Sequence, residues 1–292
     1  MTLPAVGALR ERWPDAHLEI LGYPHIMELA RGRYYANATR SIEAKPLAGF
    51  YMPNAVLDPS LMEYFGSFNL VISYLFDPDN IFANNVRRCG VRQIVEASPR
   101  PSESHAAEHY CKPLASLAIY VESPRSRVFL NESDRATASR FLQHVGREPI
   151  VAVHPGSGSE KKNWPTENFA ALSRWLVDEL AAQLLIVRGE ADEQVVNKLT
   201  ELIGARQMLI ASGLKLVELA ALLERCALFL GNDSGITHLA AAVETPTVAL
   251  FGPTSTSIWE PRGKRVRVVR FGEQDTVLTR QAIEQLWQNA AS

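Results

Sequence analysis

From residue 150 onward, short β-branched or leucine-rich runs alternate with stretches in which apolar residues recur every three or four positions. The short runs read as strands buried on both faces, and the periodic stretches as helices laid over them. The pattern predicts a strand over 150–153, a helix over 166–182 with Phe169, Leu172, Leu176 and Leu180 on one face, and a strand over 184–187. It continues with a helix marked by Leu216, Leu219, Leu222 and Leu223, a strand over 227–230, a short helix over 236–243 and a strand over 247–251 behind Pro246. Such alternation builds a parallel sheet covered by helices on both sides. The first half repeats the theme with weaker periodicity. A helix is predicted over 5–12, strands over 17–21, 70–75 and 91–95, and a helix over 78–88 that Asp77 caps and Gly90 ends. A last helix is expected over 279–290.

Composition narrows the class. At 292 residues the chain can bury a sizeable core and accommodate two domains, and 47% hydrophobic with 21% charged residues is the balance of a soluble globular protein. Residues 1–146 carry 15 basic and 15 acidic side chains and residues 147–292 carry 15 and 17, so neither half has the basic excess of a nucleic-acid binder. Cys89, Cys111 and Cys226 are widely spaced and form no CxxC pair, which fits a reducing compartment better than a disulfide framework or a zinc site. No run approaches the roughly 18 apolar residues of a membrane span, and the first residues lack the pattern of a signal peptide. A cytoplasmic location is expected, one that leaves room for contact with a membrane surface.

The candidate chemistry lies in two glycine-rich segments, His154-Pro155-Gly156-Ser157-Gly158-Ser159-Glu160-Lys161-Lys162-Asn163-Trp164-Pro165 and Gly231-Asn232-Asp233-Ser234-Gly235-Ile236-Thr237-His238. Each follows a predicted strand and runs into a predicted helix, which turns backbone amides and a helix N-terminus toward an anion. Two such turns on one sheet suggest a diphosphate held between them. Lys161 and Lys162 are ordinary solvated lysines if taken alone, but on this loop an ammonium group could neutralise a departing diphosphate. Ser157 and Ser159 offer hydroxyls and amides to the same phosphates or, equally, serve the local turn. The amides of Ser234 and Gly235 open the second helix, His238 follows one turn later, and Asp233 is a natural N-cap.

The two segments, together with Phe251-Gly252-Pro253-Thr254, resemble the ADP-heptose:lipopolysaccharide heptosyltransferases, glycosyltransferase family 9, and the resemblance extends more loosely from the first residue to about Arg270. It implies a GT-B architecture, two Rossmann-like domains facing a cleft. Residues 1–146 would form the acceptor-side domain, 147–275 the nucleotide-sugar domain, and 276–292 a helix able to pack back across the junction. It implies that Lys162, in register with Trp164-Pro165, binds the donor phosphates and stabilises the leaving group, that His238 lies against the diphosphate, and that Asp233 holds sugar hydroxyls. Glu193 would bond the ribose hydroxyls, with Glu190 and Asp192 as alternatives, and Thr254 would lie near the nucleotide. No metal or other cofactor is called for, since the lysine and helix N-terminus take that role. Arg31, Arg33, Arg40, Arg87, Arg88 and Arg92 could meet an anionic glycolipid acceptor, although scattered arginines usually form a solvated face.

Family members begin with a strand and a Gly-Asp turn whose aspartate is the general base. This chain opens at Met1-Thr2-Leu3-Pro4-Ala5, which looks like the segment just after that turn. The expectation is therefore a chain without the first strand and the general base, Met1 being internal to a longer protein. The function implied is inverting transfer of a heptose from ADP-heptose to a lipopolysaccharide-core acceptor. The alternative is a nucleotide-sugar-binding protein with impaired catalysis. A hydrolase using Asp233, Ser234 and His238 is disfavoured, because adjacent Asp and Ser make a poor relay and no Gly-x-Ser-x-Gly elbow is present.

Overall fold

The structure, a computed structural model, describes residues 1–204, 208–272 and 274–291, with side chains through Gln288. It divides into two compact units, Met1–Pro124 and Arg125–Ser292. The first contains α1 (Leu3–Arg12), β1 (Glu19–Gly22), α2 (Pro24–Met27), β2 (Ala38–Ser41), α3 (Pro59–Gly66), β3 (Leu70–Ser73), α4 (Ile81–Arg88), β4 (Gln93–Glu96) and α5 (Ala106–Cys111). Its strands form two parallel pairs, β1 with β2 and β3 with β4. Phe50, Phe65 and Phe82 stack at the centre of its main core, with ring centroids 4.9 to 6.1 Å apart. Strand β2, helix α3 and the 3-10 helix Lys45–Tyr51 have no counterpart in the sequence pattern, which is too polar or too short there to show a period. Helix α4 starts at Ile81 rather than 78, because Asn80 takes the left-handed conformation (φ 55°). Asp77 still caps it, from farther back, its carboxylate accepting from the amides of Phe82 (3.2 Å) and Ala83 (2.9 Å).

The second unit contains α6 (Glu132–Phe141), β5 (Ile150–His154), α7 (Thr166–Leu180), β6 (Gln183–Arg188), α8 (Glu193–Ile203), β7 (Met208–Ser212), α9 (Leu216–Glu224), β8 (Leu228–Asn232), α10 (Gly235–Ala242), β9 (Thr247–Phe251), α11 (Thr256–Trp259), β10 (Val266–Arg270) and α12 (Asp275–Ala291). All six strands are parallel, in the order β10-β9-β8-β5-β6-β7. Every residue of β5, β8 and β9 is buried, as strands sandwiched between helix layers must be. Helix α7 buries Phe169, Leu172 and Leu176 as its spacing predicts, and Ala181 in the left-handed region ends it. The last helix buries Ala282, Ile283 and Leu286 in the core of this unit's own sheet.

The chain runs from β5 outward through β6 and β7, then returns to the far side of β5 as β8 and continues outward to β9 and β10. The order reverses between β5 and β8, and in open α/β sheets this reversal leaves a crevice at the carboxyl ends of the two strands. The glycine-rich segments follow those two strands. The division between units falls at Pro124, ahead of the expected 146. Helix α6 belongs to the second unit, where Arg135 makes a two-pronged ion pair with Glu224 at the end of α9, both bonds 2.8 Å. Among the described residues, no helix is long and apolar enough to cross a membrane.

Candidate functional site at the strand-order reversal

After β5 the chain turns through Pro155–Ser159, makes the 3-10 turn Glu160–Lys162, and re-enters the protein at Trp164. Trp164 is the anchor of this loop. Its ring is buried edge-on to Phe169 (5.3 Å), and its Nε1 donates to Asp275 Oδ2 (2.7 Å). Asn232, fully buried at the end of β8, ties the loop down from the other side. Its carboxamide accepts from the Trp164 amide (2.9 Å) and donates to the Pro155 carbonyl (2.7 Å), so one side chain spans both ends of the loop. Ser157 Oγ lies 2.7 Å from both the Ser159 carbonyl and Asn163 Oδ1, and the Ser159 amide donates back to it (3.3 Å). Both serines are engaged in the turn, and Ser159 is exposed.

This anchoring aims Lys162 across the reversal. Its Nζ donates to Asp233 Oδ2 at 2.8 Å, with the lysine side chain 35% exposed and the aspartate 6%. An ammonium group has three hydrogens, so two remain for another acceptor. Lys161, its neighbour, is exposed. The N-cap of α10 is Ser234, whose Oγ accepts from the Thr237 amide (3.3 Å), and not Asp233, which the lysine holds instead. Among the described residues, no backbone carbonyl or side chain accepts from the amides of Gly235 and Ile236, the first two of the helix. A Cβ added at Gly158 or Gly235 would meet nothing within 4 Å, so the protein's own packing requires a glycine at neither place.

A second group of side chains lies beneath these loops. His154 Nε2 is 3.0 Å from Asp192 Oδ2, both residues buried, and His154 Nδ1 is 3.3 Å from Ser234 Oγ. The Gly189 amide also donates to Asp192 (2.9 Å). The hydrogen bond from His154, the largest influence, and the Gly189 amide hold the Asp192 carboxyl below the usual aspartate range, against the opposing effect of burial. Of the acidic run 190–193, only Asp192 turns inward; Glu190 and Glu193 are exposed, Glu193 as the first residue of α8. Thr254 is half-buried in the loop after β9, close to the loop of Lys161: a Cβ on Gly252 would lie 3.5 Å from the Lys161 carbonyl. His238 is half-buried in the first turns of α10.

The structure thus gathers Lys162, Asp233, Ser234 and Gly235 at the reversal, with Ser157 and Ser159 in the supporting turn. The anchoring by Asn232 and Trp164, and the pairing of His154 with Asp192, are features that the pattern of residues does not reveal. Their partners lie 38 to 111 residues away in sequence. In the first unit, Arg87 pairs with Glu96, Arg88 donates to Asn85 Oδ1 (2.8 Å) and the Ala55 carbonyl (3.1 Å), and Arg40 stacks over Tyr64 at 4.0 Å. Arg33 donates to the Glu28 carbonyl (3.4 Å), while Arg31 and Arg92 are exposed.

Comparison with known proteins adds a lineage to this geometry. Residues 82–287 match the family model described as glycosyltransferase family 9 (heptosyltransferase). Lipopolysaccharide heptosyltransferase 2 of Escherichia coli (strain K12) is 26% identical over 183 residues, 60% of this chain and 52% of that protein. The chain spans about half the length of the first curated relatives it matches. Among solved structures, the glycosyl transferase family 9 protein from Veillonella parvula DSM 2008 superposes with a TM-score of 0.82 at 19% identity, covering 99% of this chain and 93% of that one. E. coli heptosyltransferase WaaC with ADP gives 0.68 at 17% identity, covering 99% and 95%. The α/β fold is that of these GT-B heptosyltransferase structures.

Proposed function

Starting from a chain that belongs to glycosyltransferase family 9, we propose that it is an inverting glycosyltransferase that moves a heptose from ADP-heptose to a lipopolysaccharide-core acceptor. One observation carries the reading. At the point where the strand order reverses, Lys162 stands on Asp233 with two ammonium hydrogens to spare, beside two open amides of a helix N-terminus. A nucleotide diphosphate is an anion whose charge grows on the leaving oxygen as the glycosidic bond breaks. A lysine and helix amides fixed in advance stabilise that charge without reorganising, and each such donor typically contributes about 3 kcal/mol to the transition state. Asp233, drawn toward the site by Lys162, has a second carboxylate oxygen for a sugar hydroxyl. Glycines at 158 and 235 leave the backbone bare where the phosphates would approach.

In the same reading, Ser157 and Ser159 shape the loop more than they bind, while His238, Thr254 and Glu193 bound the donor. Exposed Glu193 is a free acceptor for ribose hydroxyls. The protein works in the cytoplasm, meeting its glycolipid acceptor at the inner-membrane surface. The test is transfer of labelled heptose from ADP-heptose to a heptose-free lipopolysaccharide core. Product with inverted anomeric configuration supports the reading. Donor binding without turnover would favour a nucleotide-sugar-binding protein, and no binding of ADP-heptose would overturn the donor assignment.

A further inference from the structure

The pair His154–Asp192 has no part in the donor contacts above, yet it lies buried beneath them. Its hydrogens can be traced. Asp192 is a carboxylate and can only accept, so His154 carries hydrogen on Nε2. On the other side of the ring, Nδ1 faces Ser234 Oγ at 3.3 Å. Ser234 Oγ already accepts from the Thr237 amide, and the Thr237 hydroxyl gives its own hydrogen to the Asn232 carbonyl. Two internal acceptors face the serine hydrogen, His154 Nδ1 and, 3.2 Å away, Thr237 Oγ1. Both lie within the protein, so the hydroxyl is enclosed by its own turn. The Ser234 hydroxyl is a structural cap, and the open groups of this turn are the backbone amides of Gly235 and Ile236.

The chain of bonds from the Gly189 amide through Asp192, His154 and Ser234 to the Thr237 amide crosses the carboxyl ends of three neighbouring strands, β6, β5 and β8. Asp192 also supports the first loop directly. A Cβ at Gly156 would sit 1.9 Å from Asp192 Oδ1, so the backbone of the Lys162 loop rests on this carboxylate with no room for any side chain. One buried group thus sets the height of the loop that leads to Lys162 and, through the histidine, the orientation of the turn that presents the two amides.

We infer that Asp192 and His154 are positioning residues for the diphosphate of the donor, holding the Gly235 and Ile236 amides and Lys162 in register so that the second phosphate is selected. This rests on the nucleotide-diphosphate reading above. Asp192 acts through its partners: Oδ2 is taken by His154 and the Gly189 amide, and Oδ1 lies under the Gly156 backbone. The Gly189 amide and His154 Nε2 both point at Oδ2, so the amide analogue keeps an oxygen there but loses the charge that strengthens both bonds, which loosens the histidine and the turn it supports.

The experiment is calorimetry on the full chain with ADP and with AMP, which differ only in the second phosphate. The wild type should prefer ADP. Asp192→Asn should shrink that preference about tenfold while AMP affinity stays within about twofold, the scale of a hydrogen bond that loses its charge assistance. Ser234→Thr, which keeps the hydroxyl, should retain the preference. A folded Asp192→Asn protein with the wild-type preference, or with ADP and AMP weakened in parallel, overturns the inference and leaves the donor reading standing. A wild type with no preference for ADP overturns both. Should Asp192→Asn not fold, long-range nitrogen–proton spectra of the wild type still decide. Hydrogen on His154 Nε2 is expected, and a ring protonated on Nδ1 alone overturns the inference.

Discussion

The ion pair Lys162–Asp233 couples stability to chemistry in a way that single substitutions would confuse. Lys162 looks like a loop lysine whose removal should leave the core intact, but in the structure it neutralises an aspartate that is only 6% exposed. Lys162→Ala strands that carboxylate, and a broken buried pair costs several kcal/mol when fully enclosed. Because the lysine is about one-third exposed, solvent screens part of the charge and about 1–2 kcal/mol is expected here. Transfer should fall by about 10²–10³. The double variant Lys162→Ala/Asp233→Ala should regain most of the lost melting temperature without regaining transfer, because it removes the stranded charge and leaves the leaving group unassisted. Thermal melts and rates measured on both variants test this. If stability and activity recover together, the lysine acts only through the fold.

At the scale of elements, the second glycine-rich turn opposes stability and function at one residue. Gly235 is the first residue of α10, its φ is not in the left-handed region, and a Cβ there meets nothing within 4 Å. Alanine is a better helix former than glycine by up to about 1 kcal/mol in a helix interior and by less at its first turn. Gly235→Ala should therefore leave melting unchanged or raise it slightly, yet weaken ADP about tenfold by crowding the approach to the amides. An alanine variant that is more stable and binds ADP as well as the wild type would show that no phosphate comes close to this turn. The same scale explains what the sequence discloses. Strands β5, β8 and β9 are buried on both faces, so they read as unbroken apolar runs. The edge strands β7 and β10 are mostly half-buried or exposed, β10 carrying Arg267 and Arg270, and their pattern is lost among those of loops. Helix α8 is hidden for another reason: the acidic run that precedes it draws the eye to ribose binding, whereas only Asp192 turns inward, a fact fixed by the position of His154 on another strand.

For the molecule as a whole, the boundary between units depends on which sheet helix α6 serves, and that is decided by a contact between distant parts of the chain. Its local signals are strong: Asn131 and Asp134 form a reciprocal capping box, so the helix would be expected wherever it docks. Its docking partner is α9, some 80 residues later, where Arg135 grips Glu224 and Ala138 is buried. The segment just ahead of it is secured in the same direction, the Val128 amide donating to the Ala242 carbonyl at the end of α10 (3.0 Å). A division at 146, where a glycine precedes the first clear strand, would cut this helix from the layer it completes. Two fragments separate the possibilities. One comprising 125–292 should fold cooperatively, because its six-stranded sheet keeps helices on both faces. One comprising 147–292 lacks α6, exposes apolar surface on α9 and leaves Glu224 unpaired. Its melting temperature should be lower by on the order of 10 °C, the shift that about 3 kcal/mol produces in a domain of this size. Equal melting of the two fragments would place α6 outside the folded unit and return the boundary to 146. A longer fragment that melts without cooperativity would mean that the second unit does not stand alone.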